Sequence, residues 1–350
     1  MIKVLVIDDS AVMRSFLGRV IGSQPDMELA GVVPDPLLAI DRVRRSAPDV
    51  ITLDVEMPGM NGLDFLRNLM AVRPLPVIMI SSLTTSGAET TLRALELGAV
   101  DFFPKPASFE QLDGLGIDIA EKIRAAASAR VSRRRPGREM QAPAIAPRTS
   151  LGRAASAGTV VGIGASTGGV EALRIVLPGL PADMPPVLIA QHMLPGFTAT
   201  FASRLDAICQ ITVKEAEDGE EALAGHAYVA AGGRHLELVR RGQRYTLRVS
   251  DDPPVNRHRP SVETLFRSLE AHAGAQAIGV MLTGMGGDGA EAMLALRQAG
   301  ARTIAQDEAS CVVFGMPRQA ILLGGAAEVL PLCDIGRRLQ ELSISTPADT

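Results

Sequence analysis

VLVIDDSAVMR, residues 4–14, decides the first half of the fold. Four aliphatic residues run straight into Asp8, Asp9 and Ser10. Beyond them Val12, Met13, Phe16, Leu17, Val20 and Ile21 recur at the spacing of one helix face. An uninterrupted apolar run suits a strand covered on both sides, and the change of period marks a strand passing into an amphipathic helix. The pattern repeats downstream, with candidate strands at residues 28–33, 50–53, 77–80 and 101–103 separated by helical stretches up to about Arg124. Alternating β and α elements predict a doubly wound, five-stranded parallel sheet.

In such sheets the site lies at the carboxyl ends of the strands, and three carboxylates are expected there: Asp8 and Asp9 after VLVI, Asp54 after DVITL. Their mutual repulsion calls for a hard cation with oxygen ligands, and Mg²⁺ fits, because it accepts few carboxylates and keeps waters for a phosphoryl group. By themselves Asp9 and Ser10 read more readily as a helix cap, and it is the residues gathered with them that favour a site. Ser81 at the end of PVIMI and Lys105 after DFFP bring a hydroxyl and an ammonium to the same edge.

VLVIDDSAVMR, DVITLDVEMPGMNGLDFL (49–66), PVIMISSLT (76–84) and DFFPKP (101–106) together resemble the receiver domain of two-component response regulators, a flavodoxin-like fold. The resemblance implies that Asp54 accepts a phosphoryl group from a histidine kinase. It also implies that Asp8, Asp9, Asp54 and the Glu56 carbonyl hold Mg²⁺, that Lys105 pairs with the phosphate and that Ser81 moves to hydrogen-bond it. Lys105–Pro106 is then expected to be cis. Phe102 falls where the family carries its aromatic switch residue, although core packing accounts for a phenylalanine there equally well.

From about residue 125 to 158 the periodicity gives way to Arg, Ala, Ser and Pro, which reads as a linker. From 159 to about 345 β/α alternation resumes, interrupted by a strand-rich piece at 227–250 that reads as an inserted hairpin. This half is expected to be a second doubly wound, mainly parallel α/β domain, with hydrolytic chemistry. VGIGASTGG (161–169) runs from strand through a glycine-rich turn into a helix. A dinucleotide fingerprint fails because Thr167 stands where its third glycine belongs, and a phosphate-binding loop fails for want of Gly-Lys-Ser/Thr. A nucleophile elbow, Gly-x-Ser-x-Gly, is satisfied around Ser166, which alone could still be only a helix cap.

Of five histidines, His192 closes the strand PVLIAQ and so arrives at the same edge as Ser166. His258 is its rival and a candidate lining of a substrate cleft. Asp288, in the glycine-rich turn after an apolar strand at 277–282, is the candidate carboxylate to fix the imidazole tautomer. The order Ser, His, Asp departs from that of α/β-hydrolases.

GASTGG, AQHM, RPSVETLF, LTGMGGDG and AQDEASCVVFGMPRQA resemble the chemotaxis protein-glutamate methylesterases, the CheB family, which also deamidate receptor glutamines. The order of receiver, linker and hydrolase resembles the whole of such proteins. The resemblance implies Ser166 as nucleophile, His192 as general base and then acid, Asp288 as its partner, and an oxyanion hole from the Met285 N–H with an amide near Thr167. It further implies chemoreceptor cytoplasmic domains as substrate and a chemotaxis histidine kinase as phosphodonor, with no cofactor for the hydrolase.

Composition excludes other classes. A formal net charge of −4 gives no signal for nucleic acid, and no apolar run is long enough for membrane insertion. Lys3 and then Asp8 and Asp9 follow too soon for a signal peptide, and three cysteines cannot all pair, so a cytoplasmic location is expected. Two rivals stay open: a receiver-controlled DNA-binding regulator, supported only by the basic linker, and a nucleotide-dependent dehydrogenase.

Overall fold

Apolar runs closed by acidic or glycine-rich turns form two separate parallel sheets. A computed structural model of the chain describes residues 1–57, 61–81, 84–105, 112–131 and 158–344. It divides into two units, Met1–Glu139 and Met140–Thr350. In the first, strands β1 (Ile2–Ile7), β2 (Met27–Val33), β3 (Val50–Asp54), β4 (Val77–Ser81) and β5 (Asp101–Pro104) alternate with helices α1 (Ala11–Gly22), α2 (Pro36–Ser46), α3 (Gly62–Val72), α4 (Thr85–Glu96) and α5 (Leu112–Ala127). The sheet order is β2-β1-β3-β4-β5. Ser10, Asp35, Asn61 and Thr84 cap α1 to α4, each side chain accepting an N–H of the first turn. Helix α1 buries Met13, Phe16, Leu17, Val20 and Ile21. Val12, expected on that face, is instead exposed, because it lies too far round the helix to reach the sheet.

The second unit runs β6 (Val160–Ala165), α6 (Gly169–Val176), β7 (Val187–Gln191), α7 (Thr198–Asp206), β8 (Thr212–Glu215), β9 (His226–Val229), β10 (His235–Arg241), β11 (Arg244–Ser250), α8 (Val262–His272), β12 (Ala277–Met281), α9 (Ala290–Gln298), β13 (Arg302–Gln306), α10 (Met316–Leu322), β14 (Glu328–Leu330) and α11 (Leu332–Ile344). Seven of its strands form one sheet in the order β14-β13-β12-β6-β7-β9-β8, every pairing parallel. The hairpin is β10 with β11, antiparallel from His235–Ser250 to Arg241–Arg244. This corrects the sequence reading, which began the hairpin at 227: His226–Val229 belongs to the main sheet, between β7 and β8.

Both sheets reverse direction at their first strand, between β1 and β3 and between β6 and β12, and a crevice opens at the carboxyl ends there. Helix α8 lies directly on β6 because β6 carries glycines where it crosses. A Cβ on Gly162 would sit 2.2 Å from Leu269 Cδ1, and one on Gly164 would sit 2.3 Å from Val262 Cγ1. The glycine pair that resembled half of a nucleotide fingerprint therefore serves helix packing. Val262, Leu265, Phe266 and Leu269, at helical spacing, join Leu236, Leu238, Leu247 and Val249 of the hairpin in one buried cluster.

Candidate functional sites

At the first crevice Asp8 follows β1 and Asp54 ends β3, both fully buried, while Asp9 beside them is exposed. One carboxylate oxygen of each lies within 4.8 Å of the others. Lys105 reaches across from the end of β5, its Nζ 2.5 Å from Asp54 Oδ2 and 3.9 Å from Asp8 Oδ1. Burial pushes the Asp54 carboxyl up to about 7, with the Asp8 charge adding to the effect and the hydrogen bond from Lys105 opposing it. Burial likewise raises Asp8, against the attraction of Lys105. For Lys105 burial works against the charge, but its bond to Asp54 and the Asp8 charge outweigh it and raise its affinity for the proton.

The donor set fits a small divalent cation. Asp8 Oδ2 is buried and accepts no hydrogen bond, the state in which a carboxylate oxygen is best satisfied by a metal. Ser81 donates to the Gly87 carbonyl of α4 at 3.2 Å, a bond that a turn toward Asp54 would exchange. Glu56 donates its N–H to Asp54 Oδ1 at 3.1 Å. Phe102 is buried, with the Lys122 ammonium 5.9 Å from its ring centroid and held by Asp101 at 2.7 Å. Pro106, and with it the bond expected to be cis, lies outside the described residues; a cis bond occurs at Arg259–Pro260.

At the second crevice Ala165 and Gln191 pair in register on β6 and β7, so Ser166 and His192, each the next residue, leave neighbouring strands about 4.8 Å apart. The β12 turn closes from the other side. Ser166 donates its N–H to the Thr283 carbonyl at 3.0 Å, and a Cβ on Gly284 would come within 2.8 Å of Ser166 Cβ. Two buried polar side chains that the sequence did not single out fix this junction. Gln191 donates to the carbonyls of both Ser166 (3.0 Å) and His192 (3.1 Å), and Thr283 donates to the carbonyl of Thr167 (3.0 Å). The Met285 N–H makes no hydrogen bond among the described residues.

His192 Nε2 meets Asp288 Oδ2 at 2.8 Å. An ionised carboxylate only accepts, so the proton sits on Nε2 and Nδ1 is left basic; Nδ1 is buried and has no hydrogen-bond partner. The Ser166 to His192 hydrogen bond is not made, which is common before substrate closes such a site. Asp288 takes four further donors: Asn256 Nδ2 (2.8 Å), Ser261 Oγ (2.8 Å) and, at the start of α8, the N–H groups of Val262 (2.7 Å) and Glu263 (3.4 Å). Burial alone would raise this carboxyl, but the bonds from His192, Asn256 and Val262 bring it down to about 2.

The other histidines separate by their partners. His235 is buried, its Nε2 on the Pro253 carbonyl (3.1 Å) and its Nδ1 accepting the Ser261 N–H (3.3 Å). His226 bonds the Ala224 carbonyl and stacks near Tyr228. His258, the sequence rival, is placed against His192, its ring stacked at 3.8 Å between centroids and 16° between planes.

An acidic pocket with a lysine in one unit and a serine, histidine and aspartate at one crevice of the other suit a response regulator with a hydrolase as its output. The response regulator receiver domain matches residues 4–115, and CheB methylesterase matches residues 161–339. A protein-glutamate methylesterase/protein-glutamine glutaminase of Salmonella choleraesuis is 55% identical over 97% of this chain and 96% of its own. Another, from Burkholderia lata, is 56% identical over 97% and 94%. The crystal structure of the Thermotoga maritima CheB methylesterase catalytic domain matches 53% of this chain and all of its own, at 40% identity and TM-score 0.52. The chain belongs to the CheB family of receiver-regulated protein-glutamate methylesterases. No helix among the described residues is long and apolar enough to cross a membrane.

Proposed function

We propose that Ser166, His192 and Asp288 carry the hydrolysis of glutamate methyl esters and glutamine amides on the cytoplasmic domains of chemoreceptors, and that phosphorylation of Asp54 by a chemotaxis histidine kinase switches it on. The observation that carries this is the His192–Asp288 pair, with Nε2 tied to the carboxylate and Nδ1 left basic at the crevice that Ser166 enters. Ser166 Oγ attacks the side-chain carbonyl as its proton passes to His192 Nδ1. The imidazolium, stabilised by Asp288, returns that proton to the departing methoxide, so methanol leaves and an acyl-enzyme remains. Water, deprotonated by His192, releases the glutamate and restores Ser166. With a glutamine substrate the leaving group is ammonia. The Met285 N–H, which makes no hydrogen bond among the described residues, would with an amide near Thr167 stabilise the developing oxyanion.

In the receiver, Asp8, Asp9, Asp54 and the Glu56 carbonyl would hold Mg²⁺, which when bound neutralises charge around the transferred phosphoryl group. Asp54 supplies the accepting carboxylate, and Lys105 stands where it can pair with the phosphate. The chain is read as a cytoplasmic protein with no nucleic-acid partner.

Ser166→Ala is expected to abolish methanol release while leaving Asp54 phosphorylation intact, and His192→Ala to be about as damaging, since triad members act as a unit. Methanol release above about a hundredth of the wild-type rate in Ser166→Ala would rule out an acyl-serine intermediate.

A further inference from the structure

Residues 255–258 form a two-residue hairpin in the segment leading to α8. The Val255 N–H donates to the His258 carbonyl at 3.1 Å, and the His258 N–H to the Val255 carbonyl at 2.9 Å. Its central residues, Asn256 and Arg257, stand at φ 52° and 66°. Both angles are left-handed, as a type I′ turn demands, and the second position of that turn strongly favours glycine. An arginine held there is a strained residue kept by its surroundings, the kind of strain that clusters at functional sites.

Two residues of this turn grip the same pair. Asn256 Nδ2 donates to Asp288 Oδ1 at 2.8 Å, and the His258 ring lies flat on His192 at 3.8 Å. Below the turn, buried His235 fixes Pro253 and Ser261, and Ser261 donates to the same Asp288 oxygen. The segment is thus pinned at its base and touches both members of the proposed base.

We infer that Asn256 and His258 are positioning residues that keep His192 Nδ1 aimed at the crevice, an inference that rests on the reading of His192 and Asp288 as the base and its partner. An imidazole held by one hydrogen bond at Nε2 can still swing out of line. A flat ring stacked on its face blocks that swing, and Asn256 holds Asp288 so that Oδ2 stays on His192. A misplacement of about 1 Å at a reacting group costs on the order of a hundred-fold in rate. Neither side chain needs to touch the substrate, so the effect belongs in kcat.

The test is kcat and KM for methyl-ester hydrolysis by the full chain in His258→Ala, His258→Phe and Asn256→Ala, beside His192→Ala and Ser166→Ala. His258→Ala is expected to lower kcat by about ten- to a hundred-fold, with KM changed by less than about two-fold. His258→Phe keeps a flat face and should recover most of the loss, while Asn256→Ala should lose about ten-fold in kcat. Asp54 phosphorylation and the thermal midpoint report whether each variant is folded. A wild-type kcat in both alanine variants, or a loss confined to KM, overturns the inference. If His258→Ala does not fold, His258→Phe decides: near wild-type kcat supports stacking, and a rate as low as His192→Ala overturns it. Substantial turnover by His192→Ala would bring down the triad reading itself, whereas an inactive His192→Ala beside a fully active His258→Ala removes only this inference.

Discussion

Asp288 gathers the hydrogen bonds of the proposed hydrolase site on one carboxylate. It is buried and takes His192 together with the first N–H groups of α8, so the helix N-terminus stabilises its negative charge. Its carboxyl falls from the ordinary 3.8 to about 2. A depressed carboxyl stabilises the fold fully above its unfolded value and loses that contribution as pH falls through its folded value. The shift corresponds to about 2 kcal/mol, present above about pH 4 and gone below about pH 2. Asp288→Asn should therefore be severely slowed and less stable at neutral pH, because an amide NH₂ must face one of five donors. In denaturant melts the stability gap from wild type should narrow as pH drops from about 4 toward 2. A gap that stays constant over that range would mean that the Asp288 charge does not stabilise the fold.

The elements show why much of this was legible in the sequence and part was not. Ser166, His192 and Asp54 sit at or just after the ends of apolar strands, and parallel strands of one sheet deliver such residues to one edge. What holds Asp288 comes from residues 256–263, whose approach depends on the hairpin and α8 packing across β6. That placement rests on tertiary contacts between Gly164 and Val262, and no local period encodes it. The same reason explains β9: four residues ending before a glycine turn look like one arm of a hairpin until their parallel partners β7 and β8 are known. Gly164→Ala tests the arrangement. Its Cβ must displace Val262, so a loss of about 1–3 kcal/mol in stability is expected, with a fall in kcat as the N–H donors leave Asp288. Unchanged stability together with unchanged kcat would show that α8 is not seated through that contact.

At the scale of the whole molecule, two doubly wound units carry their proposed sites at equivalent points, the crevice beside the first strand of each sheet. They differ in what gathers there: three carboxylates and a lysine in one, a serine, a histidine and an aspartate in the other. The two chemistries should therefore separate cleanly. Chelation of divalent cations is expected to stop phosphotransfer to Asp54 while leaving basal ester hydrolysis unaffected, and hydrolysis that fails with chelator would point to a metallohydrolase. A chain lacking residues 1–150 should hydrolyse methyl esters without responding to a phosphodonor. The most direct measurement is methanol release from methylated receptor membranes, with and without acetyl phosphate, by wild type, Asp54→Asn and Ser166→Ala. Acetyl phosphate should speed the wild type, leave Asp54→Asn at its basal rate and draw nothing from Ser166→Ala. Stimulation that persists in Asp54→Asn, or turnover that persists in Ser166→Ala, would contradict the account.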